Sequence, residues 1–381
     1  MERIALFAPY LPAPPTSGGR IRSHHLARAV AKRAELCLFA AASRRELTAE
    51  ALRHLDVYTD HFVAPAPLPF VPGARRPRRV RNGVPLQLGW HFWRQHQARP
   101  FSRIWVEHTH ASRIAMKAGL PWLLDEHNIE SRYLQQKLAA GRPAVTDRLR
   151  VARLRRWEER TWRAAKAVVA VTEADANAIA AVTGTVAPLV PNGVDLDAVA
   201  FRPPSARHGQ EVLFVGLMNH PPNEKAAARL ATEVMPTVWA RHPDARLVLC
   251  GANPSAAVRA LQRPRVEVTG TVVSVQPYLD RARVYANLLA HGGGSSLKVL
   301  EALAAGIPFV STELGVRGFP LENGRHYRRA DSSEAMAKAI DAVLTHDPEG
   351  DGRAERGRTF AGAYHWPTLA ERFTSILLDG L

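Results

Sequence analysis

The segment HGGGSSLKVLEALAAGIPFVST, residues 291–312, combines residue types that together favour the binding of a phosphate group. Its first part contains three consecutive glycines, Gly292, Gly293 and Gly294. A turn without side chains lets a bulky ligand approach the backbone closely. Ser295 or Ser296 is expected to cap the helix that follows. The free N–H groups at the start of that helix, with the positive end of its dipole, favour an anion.

Two ionisable residues follow this turn and are candidate catalytic residues. Lys298 falls in the first turn of the helix, next to Leu297, where the dipole disfavours a cation unless an anion is bound nearby. Glu301 falls further along, where a carboxylate can accept hydrogen bonds from two sugar hydroxyls, as acids do for ribose in dinucleotide-binding folds. A diphosphate site beside a ribose site indicates a nucleotide. The alternative is a glycine-rich turn followed by an exposed glutamate.

The elements that would position these residues alternate along the chain. Short apolar runs, among them RIALFAP, ELCLFAA, RIWVEHT, WLLDEH and AVVAVT, are separated by helical patterns such as SHHLARAVAKR. The alternation restarts with VLFVGLM, ARLVLCGA, VEVTGTV and VYANLLA. Strand and helix alternation predicts an α/β fold, with a parallel sheet covered by helices on both faces. Its repetition predicts two Rossmann-like, doubly wound domains that face each other across a ligand-binding cleft.

Length and composition agree with two soluble domains. The 381 residues are enough for two cores, and 46% of them are hydrophobic. We predict a first domain over 1–195, a proline-bearing linker over 196–209 and a second domain over 210–363. No run of 18 apolar residues predicts a membrane span, and the first apolar run is closed by prolines, which favours a buried strand over a signal peptide. Cys37 and Cys250 lie in apolar runs, so we expect buried thiols and a reducing cytoplasm.

The formal net charge of +16 is concentrated in the first 200 residues, which hold 30 Lys and Arg against 17 Asp and Glu. The basic segment, residues 75–99, contains seven arginines and no acid. Its candidate contacts to an acceptor or a membrane surface are Arg75, Arg76, Arg78, Arg79, Arg81, Trp90 and Trp93. Such a stretch attracts polyanions or anionic headgroups, with the rings at the interface. The alternative is a solvated loop followed by a packed helix.

Several motifs in one order resemble the GT-B glycosyltransferases, in particular the large retaining group called family 4, or glycosyl transferases group 1. The donor-site segment of that group resembles LKVLEALAAGIPFVSTELGVRG, and its other motifs resemble SGGRIRSHHLARAVAKR, AVVAVTEADANAI, LVPNGVDLDAVAF and the stretch that begins VLFVGLMNHPPNEKAAARL. The GLMNHPPN and GGGSSLKVLEA variants look more like the bacterial exopolysaccharide-associated sugar transferases. The resemblance also implies that the helix over 364–381 packs back on the first domain.

The resemblance implies a set of donor-binding residues. In the first half these are Gly18, Gly19 and Arg20, with the glycines in a loop that approaches the donor phosphates. In the second half they are Gly216, Asn219, Lys225, Gly270, Val272, Leu297 and the glycines and serines of residues 292–296.

Three positions depart from the family pattern. Leu217 and Pro222 replace an Arg and a Lys that usually hold the diphosphate, and Gly293 replaces a Glu that usually contacts the donor sugar. Lys298 is the favoured substitute cation, ahead of Lys225 and Arg20.

His127 is the candidate catalytic residue of the first half. It ends the strand WLLDEH, beside Asp125, Glu126 and Asn128. A lone histidine is usually structural or solvated, but the resemblance implies contact with the donor sugar. The DEHN run also suggests metal ligands, yet no second cluster has metal-binding spacing. We therefore expect no metal and no cofactor.

The resemblance implies transfer of a sugar from a nucleotide-diphosphate sugar to a hydroxyl acceptor with retention of configuration, the phosphate taking the acceptor proton. We expect a lipid-linked or envelope glycan acceptor, and a cytoplasmic protein that docks on the inner face of the membrane. A nucleotide-sugar epimerase of the same fold is the alternative. A basic nucleic-acid-binding protein would explain the charge, but no common nucleic-acid module is evident, so we expect no such partner. A nicotinamide-dependent enzyme would need a G-x-G-x-x-G motif after the first strand, which the chain lacks.

Overall fold

The computed structural model describes residues 1–65, 84–139, 144–291 and 295–381. Contacts between residues divide the chain into two compact units. The first unit contains Met1–Pro191 and Pro367–Leu381, and the second contains Asn192–Trp366. The second unit is therefore one continuous stretch, whereas the first needs two separate stretches of the chain.

The elements of the first unit alternate between strands and helices. Its strands are β1 (Glu2–Ala8), β2 (Ala34–Ala42), β3 (Asp60–Pro65), β4 (Arg103–Glu107), β5 (Trp122–Glu126) and β6 (Ala167–Ala170). Its helices up to Pro191 are α1 (Gly18–Val30), α2 (Ala49–Arg53), α3 (Leu86–Ala98), α4 (Ala115–Ala118), α5 (Glu130–Ala139), α6 (Val145–Ala164) and α7 (Glu173–Thr183), with a short 3-10 helix at Thr109–Ala111.

The second unit repeats the pattern. Its strands are β7 (Glu211–Val215), β8 (Arg246–Cys250), β9 (Val266–Gly270), β10 (Val284–Asn287), β11 (Phe309–Ser311) and β12 (Arg328–Arg329). Its helices are α8 (Pro221–Arg229), α9 (Met235–Trp239), α10 (Ala256–Arg259), α11 (Gln276–Arg281), α12 (Leu297–Ala304), α13 (Ser333–Thr345) and α14 (Gly350–Gly362), and a π-helical stretch, Leu230–Val234, joins α8 to α9. Short 3-10 helices lie at Pro204–Ala206 and Leu314–Val316. The final helix of the chain is α15 (Trp366–Asp379).

Both sheets have six strands, and every strand pair is parallel. The first has the order β3-β2-β1-β4-β5-β6, and the second has the order β12-β11-β10-β7-β8-β9. The first sheet thus has the Rossmann order 3-2-1-4-5-6, and the second places β7, its own first strand, at the centre in the same way. The predicted α/β class with two Rossmann-like units is confirmed.

The strands are apolar on both faces because helices cover both sides of each sheet. In β7, Val212 and Phe214 belong to one core cluster, and Leu213 between them belongs to the cluster on the opposite face. All three are at most 1% exposed. The two cysteines, Cys37 and Cys250, are buried and unpaired, as predicted.

Residues 196–209, which the sequence indicated as a linker, belong to the second unit. Arg207 attaches this stretch to the second unit, and its side chain is only 4% exposed. Its guanidinium group donates to the carbonyl oxygens of Leu279 at 2.7 Å, Ala282 at 2.9 Å and Ala305 at 2.5 Å. These bonds hold the proline-bearing stretch on the second unit.

The part of α15 after Trp366 completes the first unit. The ring of Phe373 lies 4.9 Å from the ring of Trp105 on β4, and both side chains are fully buried. Asp379 accepts a hydrogen bond from Arg33 at 3.1 Å. A face of the first sheet is therefore covered by residues from the distant end of the sequence.

Candidate functional site

The strand order of each sheet indicates where a ligand is expected to bind in that unit. Strand order reverses between β1 and β4 in the first sheet and at β7 in the second. In open α/β sheets, ligands bind beyond the carboxyl ends of the strands at such a reversal. Gly18, Gly19 and Arg20 follow β1 in the first unit. In the second unit Gly216 directly follows β7, and Lys298 and Glu301 follow β10, which is the neighbour of β7 in the sheet.

In the second unit, Gly216, Asn223 and Lys298 form a close cluster. Gly216 directly follows β7, Asn223 lies in the first turn of α8, and Lys298 is the second residue of α12. Lys298 Nζ donates to Asn223 Oδ1 at 3.0 Å, and Asn223 Nδ2 donates to the Leu217 carbonyl at 3.0 Å. A Cβ atom on Gly216 would lie 2.8 Å from Asn223 Nδ2 and 3.3 Å from Lys298 Nζ. Only glycine leaves room for this arrangement.

The ammonium group of Lys298 lies in a partly desolvated, cationic environment. Its Nζ atom lies 4.7 Å from the centre of the Phe214 ring. Burial lowers the pKa of Lys298 to about 7; the nearby Arg317 guanidinium also lowers it, and Glu301 raises it. A bound anion would offset both lowering effects. The group is therefore suited to bind a negatively charged ligand.

Polar atoms without a hydrogen-bond partner lie at the start of α12, near Lys298 in the sequence. Ser296 is the N-cap residue, and its side chain makes no cap hydrogen bond. Asn192 Nδ2 donates to the Ser295 carbonyl at 3.2 Å. Within the described ranges, Ser295 Oγ and Asn192 Oδ1 are buried and have no hydrogen-bond partner. Gly292, Gly293 and Gly294 lie outside the described residues.

Gly216 is held in place by a second glycine. Its N–H group donates to the Cys250 carbonyl at 3.0 Å. Gly251, which follows β8, has φ +152°, and a Cβ atom on it would lie 1.8 Å from the Gly216 carbonyl oxygen. The two loops therefore approach each other more closely than any side chain at position 251 permits.

The other donor-binding candidates of the second unit are spread more widely. Glu301 lies on α12, one turn after Lys298, and burial raises the pKa of its carboxyl group while Lys298 lowers it. Gly270 ends β9 with φ +69°, and Val272 packs partly buried against a core cluster. Asn219 and Lys225 are exposed. Of these residues, Glu301 is the one that shares a helix with Lys298.

In the first unit, His127 is held by a buried ion pair. His127 follows β5, is 7% exposed, and its Nε2 atom lies 3.1 Å from Asp125 Oδ2. Arg22 of α1 donates to both carboxylate oxygens of Asp125, at 2.9 and 2.6 Å. Burial by itself would raise the pKa of Asp125, but Arg22 and His127 together hold it well below its usual range. The Asp125 carboxylate, held by Arg22, orients the imidazole ring of His127.

His108 lies against His127 and has an unusual backbone. It follows β4 directly and has φ +62°, a conformation that costs free energy for any residue except glycine. Its ring centre lies 4.1 Å from that of His127 and 5.8 Å from that of Tyr10. Glu107, the preceding residue, is fully buried. Burial raises the pKa of this carboxyl group, although His127 lowers it.

The structure corrects the predicted loop at Gly18 and Gly19. The loop ends at Ser17, and both glycines are the first residues of α1. A Cβ atom on Gly19 would lie 2.9 Å from Tyr10 Oη and 3.6 Å from His127 Nδ1. Gly19 therefore borders the His127 cluster, which consists of Tyr10, Arg22, Glu107, His108, Asp125 and His127. Arg20 donates to Glu46 Oε1 at 2.6 Å, and its charge is thus already paired within the first unit.

The described part of the basic segment is α3. Trp90 and Trp93 are 59% and 41% exposed, whereas Phe92 between them is fully buried. The five arginine candidates Arg75, Arg76, Arg78, Arg79 and Arg81 lie outside the described residues. Trp90 and Trp93, the two aromatic side chains predicted to contact an acceptor or a membrane surface, are therefore exposed to solvent.

Among the described residues, no group of three or more His, Cys, Asp or Glu side chains is arranged to hold a metal ion. None of the described helices combines the length and apolar character that crossing a membrane requires.

Comparison with protein families gives two matches along the chain. The family described as Glycosyl transferases group 1 matches residues 209–346, and Glycosyltransferase Family 4 matches residues 16–198. The chain belongs to these glycosyltransferases. Residues 209–346 contain Gly216, Asn223 and Lys298, and residues 16–198 contain Arg22, His108, Asp125 and His127.

Known structures share the fold of this glycosyltransferase. Sucrose-phosphate synthase from Thermosynechococcus elongatus is 18% identical with a TM-score of 0.69, over 99% of this chain and 98% of that one. HepE from Anabaena, in complex with UDP-glucose, is 16% identical with a TM-score of 0.69, over 100% of both chains. These similarities establish the GT-B fold of the chain.

A curated relative is an uncharacterised 44.6 kDa protein from the cps region of Klebsiella pneumoniae. It is 25% identical over 142 residues, which are 35% of this chain and 37% of the relative. The match thus spans just over a third of that protein's length.

Several residues of these clusters were not predicted from the sequence. Asn223, Arg22, Tyr10, Glu107 and His108 were not singled out as candidates. The polar residues His108, Thr109 and His110 directly follow the strand RIWVE, and this was a usable signal for His108. Ligands bind beyond the carboxyl ends of the strands in this fold. No comparable signal identified Asn223 in this glycosyltransferase, since its partner Lys298 is 75 residues away.

Proposed function

We propose that the chain transfers a sugar from a nucleotide-diphosphate sugar to a hydroxyl acceptor, with retention of configuration and without a metal ion. The observation that carries this proposal is the Lys298 cluster. A partly desolvated lysine, a second cation at Arg317 and the free N–H groups of α12 all lie at the switch point of the second sheet. Together they supply the positive potential that a metal ion supplies to diphosphates in other enzymes.

The proposed chemistry follows from where charge develops. When the bond between the anomeric carbon and the phosphate oxygen breaks, the diphosphate gains negative charge and the sugar gains positive character. Lys298 and the start of α12 would stabilise the departing diphosphate. The acceptor hydroxyl bonds to the anomeric carbon on the same face and gives its proton to the leaving phosphate oxygen. Glu301 would accept hydrogen bonds from the ribose hydroxyls, and His127 would contact the transferred sugar.

UDP is the first nucleotide to test, because the similar protein HepE has been solved with UDP, with UDP and glucose, and with UDP-glucose. The cps-region relative supports an acceptor that is a lipid-linked or envelope glycan precursor. We further propose that the protein acts in the cytoplasm, with exposed Trp90 and Trp93 contacting the inner face of the membrane.

Calorimetric titration of UDP, GDP, ADP and dTDP, in the presence of EDTA, tests the donor site. One of them is expected to bind, and Lys298→Met and Glu301→Ala should each weaken that binding at least tenfold. Lys338→Met, an exposed lysine on α13, is the matched control and should leave binding unchanged. Equal binding by wild type and Lys298→Met would contradict the proposal.

Turnover separates transfer from the alternative reaction. Incubation with the matching nucleotide sugar and no acceptor should leave the sugar unchanged, apart from slow hydrolysis. Interconversion of the sugar without an acceptor would instead identify an epimerase of the same fold. The anomeric configuration of the product, read by NMR, tests retention.

A further inference from the structure

The first unit contains a large cavity that neither candidate cluster uses. It lies among α5, α6 and α7 and has a volume of about 670 Å³. Sites for small molecules usually span about 300 to 1,000 Å³. The residues that line it are Ile129, Ser131, Arg132, Gln135, Leu138, Arg148, Val151, Ala152, Arg155, Glu159, Trp162, Ala178 and Val182.

Seven of the thirteen lining residues are apolar, and the other six are polar or charged. Ile129 and Trp162 are 5% and 4% exposed, and they lie beside Val151, Ala178 and Val182. The indole N–H of Trp162 donates to Glu126 at 3.0 Å. That polar group is therefore already satisfied, and the ring offers an apolar surface. An aliphatic chain is the chemistry that such a lining accommodates best.

Three arginines give the same cavity a positive side. Arg132, of α5, is 52% exposed and lies 3.8 Å from Asp175. Arg155, of α6, is 70% exposed and lies 3.2 Å from Glu159. In the described part of the chain, no carboxylate pairs with Arg148. Exposed arginines present planar groups of donors that match a phosphate.

The spacing of residues along α6 explains why charged and apolar side chains both line the cavity. The helix has 20 residues, seven of them arginines. Arg148, Val151, Arg155 and Trp162 follow one another at intervals of three, four and seven, which places them on one face of the helix. Other arginines, such as Arg153 and Arg156, do not line the cavity. The cavity-facing side thus runs from cationic to apolar.

We propose that this cavity binds a hydrocarbon chain of an anionic lipid from a membrane, with the lipid's phosphate held by Arg148, Arg155 and Arg132. Two exposed apolar side chains, Val145 at 72% and Leu149 at 52%, lie on the first turns of α6 and would contact the lipid surface. The site does not depend on the proposed sugar transfer. It lies close to the His127 cluster, since Ile129 follows His127 by two residues, at most about 7 Å of extended chain.

Three soluble probes distinguish the possible sources of binding. Dodecyl phosphate, used below its critical micelle concentration, should bind and raise the thermal unfolding midpoint. Dodecyl maltoside, which keeps the chain but has a neutral head group, should bind at least tenfold more weakly. Inorganic phosphate, which has no chain, should not bind measurably. Equal binding of inorganic phosphate and dodecyl phosphate would overturn the proposal, because it would assign binding to surface arginines alone.

Two pairs of variants locate the site. Ala178→Trp fills the cavity and should reduce dodecyl phosphate binding at least tenfold, whereas Ala181→Trp, exposed on the same helix outside the lining, should not. Arg148→Ala with Arg155→Ala should weaken binding similarly, whereas Arg153→Ala with Arg156→Ala should not. All four side chains of the arginine pairs are exposed, so these variants are expected to fold. Unchanged binding in the first arginine pair would refute the head-group assignment.

Flotation with vesicles tests the membrane source. The wild type should float with vesicles that contain phosphatidylglycerol and remain unbound with phosphatidylcholine alone. Ala178→Trp should lose most of that flotation. If the variant floats as the wild type does, membrane binding does not use the cavity, and the cavity does not hold a lipid chain.

Discussion

Lys298 Nζ donates a hydrogen bond to Asn223 Oδ1 at 3.0 Å, and this contact joins two segments of the second unit that are 75 residues apart. The other end of the same amide donates to the Leu217 carbonyl at 3.0 Å. Asn223 thus fixes both the lysine and the loop after β7. Because asparagine is neutral, it does not neutralise the protonated form of Lys298, and an incoming anion can pair with that charge.

Replacing Asn223 with aspartate should weaken nucleotide binding. The carboxylate introduced by Asn223→Asp would pair with Lys298 and repel a diphosphate, so we expect at least a tenfold loss of affinity, about 1.4 kcal/mol. Calorimetry with the nucleotide that binds the wild type measures this. Asn177→Asp, at a position on α7 of the first unit, introduces the same charge as a control. Equal losses in both variants would show a general charge effect.

Nucleotide affinity should depend on pH through Lys298. Because the pKa of this lysine is lowered to about 7 in the free protein, it is mostly neutral above that pH, and binding of an anion then requires uptake of a proton. The dissociation constant should rise between pH 7.5 and 9, by up to about tenfold per unit. Lys298→Arg remains charged and should show little change over this interval. A constant affinity for the wild type would contradict this assignment.

Gly251→Ala should destabilise the second unit because its Cβ atom would meet the Gly216 carbonyl oxygen at 1.8 Å. That contact is with backbone, so no side-chain rotation relieves it, and we expect a loss of about 3 kcal/mol. Gly324→Ala is the control. Gly324 has φ +80° with no atom within 4 Å of its added Cβ, so only backbone strain of about 1 to 2 kcal/mol applies. Chemical denaturation of each variant compares the two losses.

Glu126→Gln should stabilise the first unit at pH 8. Burial and the nearby Glu158 raise the pKa of Glu126 to about 8, and burial raises that of Glu158 to about 7. The folded state then binds more protons than the unfolded state between about pH 4.5 and 8, so the free energy of unfolding falls as the pH rises through this range. The glutamine amide at position 126 can still accept a hydrogen bond from Trp162 and carries no charge. Denaturation followed by tryptophan fluorescence at pH 6 and pH 8 should show a smaller pH effect in the variant than in the wild type.

Glu173→Gln provides the matched control for that measurement. Glu173 is an exposed residue of α7 in the same unit, so removal of its charge should leave the pH dependence of unfolding as it is in the wild type. A pH dependence that is the same in Glu126→Gln and Glu173→Gln would place the titrating group elsewhere.

The periodic parts of the molecule were predictable from the sequence. Apolar runs and helical patterns alternate regularly enough to indicate two parallel sheets, and the glycines and serines before Lys298 indicated the start of α12. The contacts within each cluster were not predictable, because they join residues far apart in the sequence. Arg22 and Asp125, for example, are separated by 103 positions and meet only through the strand order.

Arg20 and Arg22 show the same limit within a single helix. Arg20 was the candidate cation, yet it pairs with Glu46, while Arg22 is 1% exposed and holds Asp125. Residues two positions apart in an α-helix point about 200° apart, so one of them faces the core whenever the other faces outward. The composition of the segment could not decide which of the two arginines faces the core, since both positions carry the same residue type.

The first unit consists of two stretches of the chain, and this has a consequence during synthesis on the ribosome. Trp105 emerges early, but its ring stays without its partner until Phe373 has been translated. The stretch Asn192–Trp366, which forms the second unit, is translated in between. The unit whose translation begins first is therefore completed only after the other unit has been translated in full, and a nascent chain arrested before Phe373 lacks the ring that packs on Trp105.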